Sequence, residues 1–545
     1  MYAIGLDYGT NSVRAIVVHS GTGEVCGSGV YAYAHGDQGV IGDAADPTVA
    51  RQHPADYLKG LEYTVTAALR EAGIAGKDVV GIGVDATAST PIPLDEQGDP
   101  LAFCDAFEGD LAALAWLWKD HTSVMEAKEI TERAAAMRPA YLAACGGTYS
   151  SEWFWAKVLH CARTAPDVFE AASRWVELTD YIPYVLTGEI VPGLCAAGHK
   201  GLYSPDWDGF ADEEFLAAVD PCLVSVRRGL AERAHHMGHA AGLLCAVWAD
   251  RLGLMAGIPV AVGTIDAHAG AVGSGVKPGT MVKIMGTSTC DIAVASLDHA
   301  LPDIPGICGV AHESVLPGCY GLEAGQSAVG DIFNWFVHTM KPGGGLRHEQ
   351  LNQEALELKP GASGLLALDW QNGNRSTLMD SELTGLMLGL SLHSTPAEIF
   401  RAWVEATAFG ARVIVERYRA YGVPIDRIIA CGGISQKSPM TMQIYADVLG
   451  CPMEISAHEQ SCALGAAMAG AVVGGVHADF GEAAHAMSGA IKAVYEPIVE
   501  NQQIYDRLFK LYMRLHDLFG TSAYAENQFD LMKELLVIRN EVRGG

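Results

Sequence analysis

Hydrophobic and polar positions fall in blocks that read as strands separated by helices. Tyr2-Ala3-Ile4-Gly5-Leu6-Asp7 has the pattern of a buried strand, Tyr8–Ser12 that of a small polar turn, and Val13–Val18 that of a second strand, which together predict a β-hairpin. Leu58, Leu61, Val65 and Leu69 recur at helical spacing, with Pro54 where a first helical turn tolerates it. Val79–Asp85 is then another buried strand, and a helix between strands implies a partly parallel sheet.

The plan restarts near the middle. Pro259–Gly263 is strand-like; Met281–Met285, Gly286-Thr287-Ser288-Thr289 and Asp291–Val294 again spell strand, hydroxyl-rich turn, strand. Thr395-Pro396-Ala397-Glu398 is a capping box with proline at the first helical position, so a long helix should open there and end before Gly422. Arg427–Cys431 is a strand meeting the turn Gly432–Ser435, and from Glu496 onward Ile504, Leu508, Leu515 and Leu518 mark a helical appendage. The chain reads as internally duplicated: two α/β domains, 1–258 and 259–545, with a boundary near Gly257-Ile258-Pro259. A cleft between them is the default ligand site.

Composition narrows the class. In 545 residues, 50% are apolar and only 18% charged, which excludes a disordered chain. Asp and Glu outnumber Lys and Arg 64 to 36, a net charge of −28 that repels nucleic acid and anionic membrane surfaces. A phosphate-bearing ligand must therefore be held by local contacts. The 13 cysteines are scattered with no CxxC pair, which points to a reducing cytoplasm, and no export signal opens the chain. The longest uncharged runs, Leu252–Ile265 and Ser461–Val476, are Gly- and Ala-rich and fall short of the roughly 18 apolar residues of a membrane span.

A turn of Gly, Thr, Asn and Ser can aim backbone N–H groups and hydroxyls into one concavity, so the hairpin at 8–12 is either an ordinary turn or a phosphate cradle. A second such turn at Gly286-Thr287-Ser288 favours a two-sided clamp, with Asp7 holding a hydrated Mg²⁺. Asp266 ends a buried strand before a small-residue segment; it is either a helix cap or a general base. His268 reads as a structural neighbour, since no His, Cys or Asp stands at zinc-site spacing from it. Trp153 and Trp155 either wall a ligand pocket or pack a core helix.

These pieces, in this order and across nearly the whole chain, resemble the FGGY family of carbohydrate kinases. Asp7–Arg14 looks like the family's first phosphate loop, Gly286-Thr287-Ser288 like its second, Gly432–Pro439 with Gln443 and Ala446-Asp447 like its adenosine signature, and Ser461–Ala467 like its hinge helix. Val84–Pro93, Ile265–Gly270 and Glu323–Ala328 are similar to the branch that phosphorylates L-ribulose. The resemblance implies a duplicated actin/hexokinase-like (ribonuclease H-like) α/β fold with two domains flanking a catalytic cleft. It also implies ATP and Mg²⁺ as cofactors, a ketopentose as partner and a homodimer. The product would be L-ribulose 5-phosphate, in L-arabinose catabolism. By matched position, Asp266 is the base, and Ala88, Lys200, Asp266 and Glu323 contact the ketose. Thr10, Asn11, Ser12, Arg14, Gly286 and Thr287 surround the phosphates; Gly330, Asn334, Gly433 and Lys437 line the nucleoside. Asn11 stands where relatives carry Thr or Ser, and Lys437 where many carry Asn. Other pentulose or hexulose kinases, and an actin- or chaperone-like ATPase, are the competing readings.

Overall fold

The computed structural model describes residues 1–489 and 491–544. Two seven-stranded sheets organise it. In the first, Val25–Ala32, Ser12–His19 and Tyr2–Tyr8 form an antiparallel meander; Val79–Ala86 and Pro259–Ala261 join in parallel, and Ala240–Leu243 closes the edge antiparallel. The short strand Thr264–Ile265 also pairs with Val79–Ala86.

The second sheet repeats this order. Cys319–Ala324, Thr289–Ser296 and Gly279–Met285 form the meander, Ile425–Cys431 and Met453–Ser456 the parallel pair, and Ile491–Tyr495 the antiparallel edge. Gly309–His312 is added outside Cys319–Ala324. Duplication is therefore visible strand by strand.

The changeover comes later than the 258/259 boundary expected from sequence. Pro259–Ala261 and Thr264–Ile265 complete the first sheet, the helix Asp266–Gly273 follows, and the second sheet begins at Gly279. Strand spacing alone cannot tell which sheet a strand will join.

The capping box works as written: Thr395 Oγ1 accepts from the Glu398 N–H (3.3 Å) and Glu398 Oε2 accepts from the Thr395 N–H (2.9 Å), opening the helix Pro396–Ala420. Gly432–Ser435, expected as a turn, instead leads into the short helix Gly433–Lys437. The C-terminal helices Val499–Gly520 and Leu531–Gly544 bury Tyr505, Leu508, Tyr512, Leu535 and Ile538 in the main core of the second domain, so they are integral to it.

The helix Ser461–Val473 lies between the lobes, packed on strands Tyr2–Tyr8 and Val79–Ala86 and on the helix Asp266–Gly273. Its approach is backbone to backbone. A Cβ at Gly83 would sit 1.8 Å from the Ala466 carbonyl oxygen, one at Gly5 1.8 Å from that of Ala463, and one at Gly465 1.9 Å from that of Ala269. No helix among the described residues is long and apolar enough to cross a membrane.

Candidate active site

Register brings three carboxylates together. Asp7 pairs directly with Asp85, Asp85 with Thr264, and the helix that carries Asp266 starts two residues beyond. Burial and the charge of Asp7 push the Asp266 carboxyl up to about 7, although its Oδ1 accepts from the Ala267 N–H at 2.7 Å. Burial also raises Asp7, opposed by Arg14, whose Nη1 lies 3.7 Å from Oδ2. Asp85 is fully buried, neither of its oxygens has a hydrogen-bond partner, and burial with the nearby Asp7 and Asp266 charges keeps its proton on well above the usual range.

The predicted sugar contacts meet beside this cluster. Lys200 ends the helix Leu194–Lys200 of the first lobe; Glu323 lies on strand Cys319–Ala324 of the second. Lys200 Nζ stands 3.0 and 3.1 Å from the two Glu323 oxygens, and both residues are buried. Burial would raise the Glu323 carboxyl, but Lys200 and the adjacent histidines hold it well below the carboxylate range. Ala88 is half-buried and packs on Cys195, Ala196 and Ile265. Trp155 is in the core, its indole N–H donating to the Gly201 carbonyl (2.8 Å), while Lys200 Nζ stands 5.5 Å from the Trp153 ring centre.

Behind Ala88 are residues that sequence reading missed. Glu177 accepts from the Ser89 hydroxyl and from the Thr90 N–H (2.7 Å), and Lys157 Nζ donates to the carbonyls of Ser89 and Leu117, each at 2.7 Å. Burial lowers Lys157 to about 7. A lysine inside an apolar helix was the available signal; nothing local linked Glu177 to the site, and Asp85, although inside the matched stretch Val84–Pro93, was given no role.

His268 and His199, both buried, converge on Glu323. With it they form the one group of three potential metal ligands among the described residues. Their separations in sequence hide this, so the reading of His268 from zinc-site spacing could not see it.

Among the predicted phosphate contacts, Thr10 Oγ1 accepts from the Trp118 indole N–H (3.0 Å) and Thr10 O from Gln52 Nε2 (2.7 Å). Asn11 spends its amide on the Gln38 carbonyl (2.6 Å), and Ser12 opens the second strand beside it. The facing turn exposes Gly286 and Thr287, whose carbonyls accept from Gly330, Val329 and Asp331. A Cβ on Gly330 would lie 2.5 Å from the Gly286 oxygen. Asn334 accepts from His348 Nε2 (2.9 Å) and lines an open cavity of about 830 Å³ with Trp335, His338 and Trp403. Gly433 and Lys437 are exposed and do not line that cavity.

The family models for the N-terminal and C-terminal domains of the FGGY family of carbohydrate kinases match residues 2–273 and 281–473. A ribulokinase of Shouchella clausii is 41% identical, covering 100% of this chain and 99% of its own; a ribulokinase of Mycolicibacterium smegmatis is 40% identical, covering 99% and 96%. Among solved structures, xylulose kinase from Rhodospirillum rubrum superposes with a TM-score of 0.80 at 25% identity, covering 95% of this chain and 100% of its own. The ligand-bound xylulose kinase from Lactobacillus acidophilus gives 0.79 at 18%, over 96% and 99%. The duplicated sheets, the paired hairpin turns and these matches along the full length agree: the chain belongs to the FGGY family of carbohydrate kinases, as an ATP-dependent sugar kinase.

Proposed function

We propose that this kinase transfers the γ-phosphoryl group of ATP to the carbon-five hydroxyl of L-ribulose, in the cytoplasmic breakdown of L-arabinose, with Asp266 as general base. One observation supports this above the others: a carboxyl held near 7 stands within electrostatic reach of a Lys–carboxylate pair shared by the two lobes. A base poised near operating pH can take a hydroxyl proton and return it. Lys200 donates to ketose oxygens, Glu323 accepts from hydroxyls, and Ala88 leaves room for the sugar against backbone.

Backbone N–H groups of the turn at Thr10–Ser12 and of Thr287, with the Thr10 and Thr287 hydroxyls and Arg14, surround the phosphates; Gly286 lies beside them, its own N–H donating to the Ser288 carbonyl (2.9 Å). Asn11 contributes backbone rather than its amide, which Gln38 already occupies. Asn334 would line the nucleoside from the open cavity, and Gly330, which packs against Ile434, with the exposed Gly433 and Lys437 would approach it from outside that cavity. Three carboxylates at one cleft edge, with the oxygens of Asp85 unpartnered, fit a hydrated Mg²⁺ arriving with the nucleotide, which Asp7 would hold through water. Bound there, the ion offsets phosphate charge. The relatives' names carry the choice of ribulose over other ketoses.

A coupled ADP-release assay over L-ribulose, D-ribulose, xylulose, hexuloses and pentitols tests the substrate. Turnover confined to hexuloses, or ADP release indifferent to sugar, rejects it. Asp266→Ala should lose sugar phosphorylation by at least about 10³-fold while ATP still binds.

A further inference from the structure

We infer that His268 is a positioning residue for the ketose clamp: its imidazole braces the Glu323 carboxylate in the orientation that serves both Lys200 and a sugar hydroxyl. The inference rests on the reading of Glu323 as a ketose contact.

His268 is fully buried two residues after Asp266, and its Nε2 stands 3.6 Å from Glu323 Oε2. Neither of its ring nitrogens has a hydrogen-bond partner among the described residues. Such a group is costly unless it pairs in some working state. Glu323 is the acceptor at hand, just beyond the roughly 3.2 Å of a good N–H···O bond. Behind it, the His199 ring packs at 4.7 Å between centroids, its Nε2 2.9 Å from Ser314 Oγ and its Nδ1 4.0 Å from Glu323 Oε2. His199 thus belongs to the first lobe and Ser314 and Glu323 to the second.

A carboxylate held by lysine alone turns easily, because its terminal torsion is broad and the ammonium is a point charge. A planar ring packed 3.6 Å from Oε2 limits that turning. The same three groups do not make a good metal centre, since both Glu323 oxygens already face the Lys200 ammonium, whose charge opposes a second cation.

The test measures KM for L-ribulose, KM for ATP, kcat and the thermal midpoint in the full chain carrying His268→Phe, His268→Asn, His268→Gln or Glu323→Gln. His268→Phe and His268→Asn should raise the ketose KM about tenfold and leave kcat and the ATP KM within about twofold, and His268→Gln, with a donor near the place of Nε2, should recover most of the loss. Equal changes in all three constants, or no rescue by Gln in a variant of unchanged midpoint, would reduce His268 to core packing and overturn the proposal. Inhibition by equimolar Zn²⁺ that vanishes in His268→Asn would overturn it in favour of a metal site. An unchanged ketose KM in Glu323→Gln would instead sink the reading of the sugar site. Should Phe fail to fold, the Asn and Gln pair decides.

Discussion

At Asp266 one side chain serves a helix start and, in the proposed function, the reaction, and the two roles make opposite demands on its proton. Its carboxyl titrates near 7 when buried beside Asp7, against 3.8 for an ordinary aspartate. In the free enzyme, kcat/KM for the ketose should therefore rise through about pH 7 and level off above, because only the ionised form accepts a proton. Stability runs the other way: with the folded value raised, the contribution of the neutral carboxyl is full below about pH 4 and is lost as pH climbs to about 7. Asp266→Asn should match the parent's unfolding midpoint near pH 3.5 and exceed it near pH 8; a gap that ignores pH would remove the assigned shift. Trp118→Phe frees the Thr10 hydroxyl, and the ATP KM should rise about threefold with the ketose KM unchanged. Asp266 was legible in the sequence as a candidate: a strand end before small residues left helix cap and base open, and the family resemblance chose the base. Asp85 was not, since its role comes from lying opposite Asp7 in a pairing 78 positions long-range, fixed only when the sheet forms.

Among elements, the hairpins, the helix Pro54–Ala72 and the capped helix Pro396–Ala420 follow from local spacing, and the structure has them where the periodicity places them. What spacing could not reveal is how a polar group is satisfied inside an element. Lys283, on a strand that reads as purely apolar around it, is completely buried and holds both Asp291 oxygens at 2.9 Å, with Gln326 Oε1 at 3.0 Å. Gln326 passes the network on to Asp369, and Asp369 to Tyr512 of a C-terminal helix. Removing one partner strands the other charge, so Lys283→Met should cost about 3–5 kcal/mol in chemical unfolding, and adding Asp291→Leu should restore much of it. A loss under about 1 kcal/mol would mean that water reaches the pair. The helix Ser461–Val473 tests packing differently: Gly83→Ala puts a methyl where the Ala466 carbonyl stands and should cost about 3 kcal/mol.

For the whole molecule, duplication gives each lobe a hairpin turn at the cleft, and the −28 charge surrounds both. That field opposes an arriving nucleotide. Raising ionic strength from about 20 to about 150 mM should increase kcat/KM for ATP severalfold by screening it; a decrease would show that Arg14 and other local cations govern capture. The acidic balance was plain in the composition, whereas the lobe boundary was not, because the strands of 259–265 carry no mark of the sheet they join.

The joint beneath the cleft has a mechanical meaning. Where Gly5, Gly83 and Gly465 meet carbonyl oxygens the contact is backbone against backbone, while Leu464 and Met468 of the same helix pack with Ile16 and Val18 beside it. A seam this close leaves no room for an added atom, so the spacing of the helix from the first sheet is set by the backbones themselves.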